Sequence, residues 1–452
     1  MTENTICAIS TPMGVGGIAI VRMSGKDALN IAKKCFSSKS LDYKNIKPRY
    51  LYLGTFNADN FEEKCLMVYF NNPHSYTGED MVEFQVHGGV KLASGILAKL
   101  VESGAKIAEA GEFTKRAFLN GKLSLDEAEG VIDIINSQSD SEIRAGYNLM
   151  QGKLKNAISK LQGRLTDSLA KLEVAMDYPE EDLEEETKQD AEGELNSIRS
   201  ALDTLYATAN TGMCIKNGTK VVILGKTNVG KSSLMNALLN FDRAIVTNIQ
   251  GTTRDTLEES YEYRGVRFNI VDTAGIRQSN DVVESIGIEK SKKSVNVADI
   301  ILFVVDGSSE ISQEDKEIID LIKNKNNVLV VINKSDLPRK MVIKTLPFDN
   351  FIEISAKDNK NIDLLKEKIY NFVFDNNITN ANIVLTNIRH IEVVKEAIGL
   401  CDIAIQSLKS QQNIDLTALD IKNIWLKLGE ITGESSVEEI INTIFSKFCV
   451  GK

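Results

Sequence analysis

Apolar positions in this chain follow three different rhythms. Over the first 120 residues, short runs with β-type alternation sit between helical stretches. Gly17-Ile-Ala-Ile-Val-Arg22, Lys64-Cys-Leu-Met-Val-Tyr-Phe70 and Met81-Val-Glu-Phe-Gln-Val86 predict strands. The glycine-bearing Met13-Gly-Val-Gly-Gly17 and Tyr76-Thr-Gly-Glu79 predict turns. From Ser124 the spacing lengthens. Ser124-Leu-Asp-Glu127 has the form of a capping box. Leu154, Ile158, Leu161, Leu165, Leu169, Leu172 and Met176 then recur every three or four residues, one face of a long amphipathic helix. The acidic stretch beginning at Asp177 interrupts this stripe, which reads as a solvated turn between helices. Leu195, Ile198, Leu202 and Leu205 resume it. Near the C-terminus, Ile391, Val394, Ile398, Cys401, Ile405 and Leu408 form another stripe, and Val437, Ile441, Ile444 and Phe448 a shorter one. Between these helical parts lie four compact apolar runs: Val221–Leu224, Phe268–Val271, Val328–Ile332 and Ile352–Ile354. Each is of a length suited to a buried strand and each leads into a polar motif.

A chain of 452 residues is too long for one core, and two or three domains are expected. Hydrophobic content of 42% and charged content of 26% are those of an ordinary globular chain. The formal net charge of −10 argues against a protein that holds nucleic acid mainly through its phosphates, so such contacts are expected to be local or supplied by a partner. No apolar run reaches the ~18 residues of a membrane span, and the start lacks a signal-peptide pattern. The six cysteines are scattered without a C-x-x-C pair, the pattern of reduced thiols, and the expected location is the cytoplasm. Three widely separated histidines do not suggest a metal site.

The chemistry lies in the motifs that end the four apolar runs. Gly225-Lys-Thr-Asn-Val-Gly-Lys-Ser232 matches the phosphate-binding loop G-x-x-x-x-G-K-[ST] at a strand-to-helix junction. Its glycines allow backbone N–H groups at Asn228, Val229, Gly230 and onward to Ser233 to face phosphate oxygens. Lys231 is expected to reach the β- and γ-phosphates, and the Ser232 hydroxyl to bind magnesium. Gly251-Thr-Thr-Arg254 fits a switch loop whose Thr253 closes on the same ion. Asp272-Thr273-Ala274-Gly275 supplies a second magnesium anchor and an N–H for the γ-phosphate. Asn333-Lys334-Ser-Asp336 selects the base, because the Asp336 carboxylate can accept from N1–H and the 2-amino group of guanine. Adenine leaves that carboxylate unpaired. Ser355-Ala356-Lys357 completes the base pocket. The fold class expected is therefore α/β multidomain. It comprises an N-terminal α+β domain (1–120) and a Ras-like P-loop G domain (215–376). The G domain is inserted in a helical domain formed from two flanking segments (121–214 and 377–452). Ile276 stands where Ras-type proteins carry a water-orienting glutamine, so hydrolysis needs another group. Arg254 and Arg277 read as surface or switch-loop residues, with a role as arginine fingers in cis as the alternative.

The loop at Asn228, the segment Ile245-Val-Thr-Asn-Ile-Gln-Gly-Thr-Thr-Arg-Asp255 and Asp272-Thr-Ala-Gly-Ile-Arg277 resemble the TrmE–Era–EngA class of translation GTPases. Four segments outside the G domain narrow the likeness: Gly16–Gly25, Tyr76-Thr-Gly-Glu-Asp80, His87-Gly-Gly89 and Gly111–Leu123. With the terminal Ile444-Phe-Ser-Lys-Phe-Cys-Val-Gly-Lys452, they are similar to the MnmE (TrmE) family of tRNA-modification GTPases. That resemblance implies a homodimer joined through its N-terminal domains. It also implies a tetrahydrofolate derivative (5-formyl or methylene form) at the junction, and joint action with the flavoprotein MnmG. Together they would add an aminomethyl or carboxymethylaminomethyl group to carbon 5 of the wobble uridine of certain tRNAs. The implied folate contacts are Arg22, Glu83, Lys122 and Lys452. Glu83 suits a pterin's N–H groups and the basic residues suit its glutamate tail. Cys449 falls near the one-carbon site, in a chemical or a structural role. Thr227 and Val15 depart from the family's usual proline and arginine.

The resemblance also extends the nucleotide site across Thr247, Asn248, Ile249, Gln250, Gly251 and Thr252, and assigns the water-orienting role to Glu284. A potassium ion held by Asn228, Thr247, Ile249 and Thr252 is expected to supply the positive charge that an arginine finger gives elsewhere. Two other readings stay open at this point: a GTP-gated RNA-binding factor without one-carbon chemistry, and a folate-dependent methyltransferase regulated by its G domain.

Overall fold

The computed structural model describes residues 4–177, 183–239, 259–272, 294–343, 346–374, 383–410 and 413–452. These fall into two compact units. One comprises residues 1–132, 149–166 and 422–452, the other residues 133–148 and 167–421.

The first unit is built on a seven-stranded sheet. Its strands are β1 (Ile6–Ile9), β2 (Ile18–Ser24), β3 (Phe36–Ser37), β4 (Leu51–Ala58), β5 (Phe61–Phe70), β6 (Met81–His87) and β7 (Lys106–Ile107), in the order β3-β4-β5-β6-β2-β1-β7. Neighbours are antiparallel except β1 and β7. Alternation along the strands sends Val21, Met23, Phe56, Met67, Val82 and Phe84 into one core with Ala28, Ile31 and Ile96 from the helices Ala28–Cys35 and Val90–Glu102. The register sets Arg22 of β2 directly beside Glu83 of β6. At the helix Leu125–Asn136, Glu127 makes the side-chain bond of the expected capping box. The Ser124 N–H donates to Glu127 Oε2 at 2.7 Å, while the Ser124 hydroxyl donates to Asp126 Oδ1 at 2.6 Å. The C-terminal helix Glu438–Phe445 buries Ile444 and Phe445 against Leu125 and Ala128, with Phe448 beyond it.

The second unit carries a six-stranded sheet of β8 (Thr219–Leu224), β9 (Glu259–Tyr263), β10 (Val266–Asp272), β11 (Ile300–Asp306), β12 (Val328–Asn333) and β13 (Phe351–Glu353). The order is β13-β12-β11-β8-β10-β9. All neighbours are parallel except β9 and β10. Successive side chains feed opposite faces: Ile300, Leu302 and Val304 join one core, and Ile301, Phe303 and Val305 the other. This is why the sequence of β11 is apolar without alternation. In the same unit the helix Leu183–Tyr206 packs on the helix Ile388–Lys409, burying Leu195, Ile198 and Leu202 on one and Val394, Cys401 and Ile405 on the other. No helix among the described residues is long and apolar enough to cross a membrane.

Candidate functional site

In an open parallel sheet with helices on both faces, loops at the carboxyl ends of the strands converge on one edge. Here those loops follow β8, β11, β12 and β13, and they hold most of the described residues of the sequence motifs. The β8 loop turns through Gly225 (φ +155), Asn228 (φ +61) and Gly230 (φ +97) into the helix Lys231–Leu239. A Cβ on Gly230 would run into the Asn333 amide, so the left-handed turn and the close approach both require glycine there. Asn228, Ser232 and Ser233 are exposed and Val229 is buried. The Lys231 ammonium donates to the carbonyls of Gly225 at 2.5 Å and Lys226 at 2.6 Å, lying back along its own loop.

Asn333, at the end of β12, ties the loops together. Its Nδ2 donates to the Val229 carbonyl at 2.8 Å and its Oδ1 accepts from the Ala356 N–H at 3.0 Å. One buried amide thus joins the phosphate loop to the loop after β13. Asp336 is exposed, and its Oδ1 accepts from the Ser355 hydroxyl at 2.7 Å. That bond, the Asp336 backbone N–H, and the nearby Lys357 and Lys334 hold the carboxyl below the usual aspartate value. A carboxylate fixed in this way keeps acceptor capacity for two adjacent N–H donors on a planar base. Lys334 adopts φ +62 and its Nζ pairs with Asp306 Oδ2 at 2.6 Å. Burial pushes the Asp306 carboxyl up, but the bonds from Lys334 and Ser308 outweigh it and hold the group below the usual value. The motif reading missed Asp306, although its signal was present: it is the aspartate that ends the apolar run of β11. It also missed Lys226, whose side chain pairs with Asp315.

Thr247, Asn248, Ile249, Gln250, Gly251, Thr252, Thr253, Thr273, Ala274, Gly275, Ile276 and Glu284, with Arg254 and Arg277, lie outside the described residues, as does the side chain of Asp272. The Asp272 backbone ends β10 in register with Ile223 of β8.

The first unit gathers a second group. Arg22 Nε donates to Glu83 Oε1 at 2.7 Å, and its guanidinium lies 5.7 Å from the ring centres of both Tyr76 and Phe113. The chain terminus reaches the same place. Val450 bridges to Ala110, the Phe113 N–H donates to the Lys452 carbonyl at 3.2 Å, and the Ser10 hydroxyl donates to the Gly451 carbonyl at 3.1 Å. Burial, then repulsion from Arg22, pull the Lys452 ammonium below the ordinary lysine value against the attraction of Glu83 and Cys449. Arg22, Glu83 and Lys452 are thus brought together, with Cys449 exposed beside them. Among the described contacts Lys122 is not joined to this group; its Nζ donates to the Pro73 carbonyl at 3.1 Å. In the same unit a buried Arg116 pairs with Glu79 at 3.1 Å and Glu112 at 2.7 Å, a cluster that the sequence patterns did not reveal.

Comparison with known proteins gives two family matches, "MnmE helical domain" over residues 125–449 and "GTP-binding protein TrmE N-terminus" over residues 5–122. Curated relatives include proteins named tRNA modification GTPase MnmE. The one from Clostridioides difficile is 41% identical over 100% of this chain and 99% of its own length. The one from Desulforamulus reducens is 42% identical over all of both chains. Among solved structures, Aquifex aeolicus Era bound to GDP·AlF4− aligns with 40% of this chain and 66% of its own, at 27% identity and a TM-score of 0.27.

Proposed function

The chain belongs to the MnmE family of tRNA-modification GTPases, and on that premise we propose that its GTPase cycle serves the addition of an aminomethyl or carboxymethylaminomethyl group to carbon 5 of the wobble uridine of certain tRNAs. It is a GTP hydrolase that acts in tRNA modification. The observation that carries the nucleotide half of this reading is the bridge made by Asn333. It fixes the phosphate loop to the base pocket, where Asp336 is oriented by Ser355.

The parts divide as follows. Asp336 receives the guanine N1–H and 2-amino group, with Asn333, Lys334, Ser355, Ala356 and Lys357 forming the rest of the base pocket. Backbone N–H groups from Asn228 to Ser233 cradle the phosphates, and Lys231 addresses the β- and γ-phosphates. Ser232 and Thr253 would hold magnesium. The exposed Asn228, with Thr247, Ile249 and Thr252, would hold potassium. Bound there, such ions would supply positive charge to the phosphate groups. Thr247 to Thr253 and Asp272 to Gly275 serve as the switch segments. Glu284 orients the attacking water.

In the first unit, Arg22, Glu83 and Lys452 form the candidate site for a tetrahydrofolate derivative, with Lys122 at its margin. The donor set fits such a ligand: Glu83 offers a carboxylate to a pterin's N–H groups, and the cationic side chains suit carboxylates on the tail. The 5-formyl or methylene form would supply the one-carbon unit. The chain acts as a homodimer through its N-terminal domain, with MnmG as partner, in the cytoplasm, where its six free cysteines remain reduced. Nucleoside mass spectrometry of tRNA from cells lacking this chain tests the assignment. Loss of the 5-substituted wobble uridine is expected. An unchanged set of wobble nucleosides overturns the tRNA role and leaves the GTPase intact.

A further inference from the structure

The phosphate loop has a second anchor besides Asn333, and no motif requires it. The helix Gln313–Ile322 opens with a complete capping box. The Ser312 hydroxyl accepts from the Asp315 N–H at 3.3 Å, and Asp315 Oδ2 accepts from the Ser312 N–H at 2.9 Å. Asp315 is 2% exposed, a depth at which an ionised carboxylate needs a cationic partner. That partner comes from the loop itself. Lys226, the residue after Gly225, sends its Nζ to Asp315 Oδ2 at 2.8 Å and to the Ser312 hydroxyl at 3.2 Å. The other carboxylate oxygen, Oδ1, has no hydrogen-bond partner among the described residues. Burial pushes the Asp315 carboxyl up, and the bonds from Lys226 and Ser312 more than reverse this. The backbone carbonyl of the same Lys226 accepts from the Lys231 ammonium at 2.6 Å. Lys226 therefore has one end set in the cap of a helix and the other on the ammonium that addresses the β- and γ-phosphates.

We propose that Lys226 is a positioning residue for GTP hydrolysis: clamped by Asp315 and Ser312, it holds the Gly225–Lys226 backbone where that backbone sets the Lys231 ammonium. The inference rests on the reading of this loop as the phosphate site. In the described hydrogen bonds Asp336, Asn333 and Ser355 do not touch the Lys226 side chain, Asp315 or Ser312; Asn333 meets the loop at Val229 instead, so the clamp is expected to bear less on guanine recognition than on the Lys231 ammonium. Loosening the clamp acts on the charge delivered to the transferring phosphate, and so on kcat more than on KM. Both bonds of the capping box belong to Ser312 and Asp315, but replacing Lys226 leaves the buried Asp315 without its cation, which is why thermal unfolding is measured beside turnover and the arginine variant is included.

The test measures steady-state GTP hydrolysis by the full chain as wild type, Lys226→Met, Lys226→Arg and Asp315→Asn, with thermal unfolding of each. Lys226→Met is expected to lower kcat roughly 10-fold, with KM changed less than about 3-fold. Lys226→Arg, which can still reach Asp315, is expected to recover most of the loss. Asp315→Asn, which keeps an oxygen for the Ser312 N–H but loses the charge, should fall between them. Unchanged kcat in Lys226→Met overturns the clamp, as does failure of the arginine variant to recover it at wild-type unfolding temperature. A wild-type chain with no GTP turnover would instead overturn the reading of the loop.

Discussion

At the scale of single residues, specificity rests on how a few polar atoms are held. Asp336 is exposed, and an unrestrained carboxylate there would rotate freely. The Ser355 hydroxyl at 2.7 Å prevents that, and Ser355 is itself fully buried. Replacing Asp336 by asparagine keeps the shape and exchanges one acceptor for an N–H donor. That donor faces the guanine 2-amino group badly but suits the 2-oxo group of xanthine. Asp336→Asn should weaken GTP binding by on the order of 100-fold or more, because a recognition site built from hydrogen bonds rejects a mismatched partner strongly. Binding of XTP should rise in the same variant. Fluorescence titration with labelled GTP and XTP checks both, and equal GTP affinity in the variant would remove Asp336 from base recognition.

At the scale of elements, the phosphate loop is held in place by its neighbours. β8 delivers it, the helix Lys231–Leu239 continues it, Asn333 ties it to β12, and Lys226 ties it to the helix Gln313–Ile322. Asn228 stands at the crest of this turn, exposed and in a left-handed conformation that asparagine tolerates. Its side-chain oxygen is available to a monovalent cation that the switch segment would complete. GTP turnover should therefore be at least ~10-fold faster in potassium than in sodium at equal ionic strength, since charge beside the transferring phosphate is the main catalytic lever. Glu284→Ala should lower turnover in potassium by ~100-fold, the range of a lost proton-handling group. Equal rates in the two salts would rule out the cation, and full activity of Glu284→Ala would move the water-positioning role elsewhere.

At the scale of the whole molecule, the C-terminus returns to the N-terminal sheet. A Cβ on Gly451, at φ +97, would run into the Ile9 carbonyl and Ser10, so any side chain there would collide. This seats Lys452 beside Arg22 and Glu83. Removal of Lys452 should weaken binding of a 5-formyl-tetrahydrofolate analogue by ~10- to 100-fold, the cost of one charge-assisted hydrogen bond. GTP turnover without tRNA should be unchanged. Calorimetry on the full chain and the truncated chain decides, and equal affinities would exclude Lys452 from the site.

The sequence by itself determined what depends on contiguous residues. Val328–Ile332 could be read as a strand, and β12 occupies Val328–Asn333, because a short, mostly β-branched run apolar at every position suits a strand buried on both faces. The phosphate loop was legible for a similar reason: eight consecutive residues contain the glycines, the lysine and the hydroxyl. The long amphipathic stripe from Leu154 was legible as the helix Lys153–Asp177, since spacing alone defines one face. Only the tertiary structure decided the pairings across distance. Lys226 and Asp315 are 89 positions apart, and Arg22 and Glu83 are 61 apart. Nothing local to either pair selects its partner, since many lysines and aspartates would have served equally by type. Strand register chose Glu83 for Arg22, and the packing of one helix N-terminus beside the phosphate loop chose Asp315 for Lys226. Such contacts follow from where whole elements come to rest, and that is set by burial of the apolar faces they share.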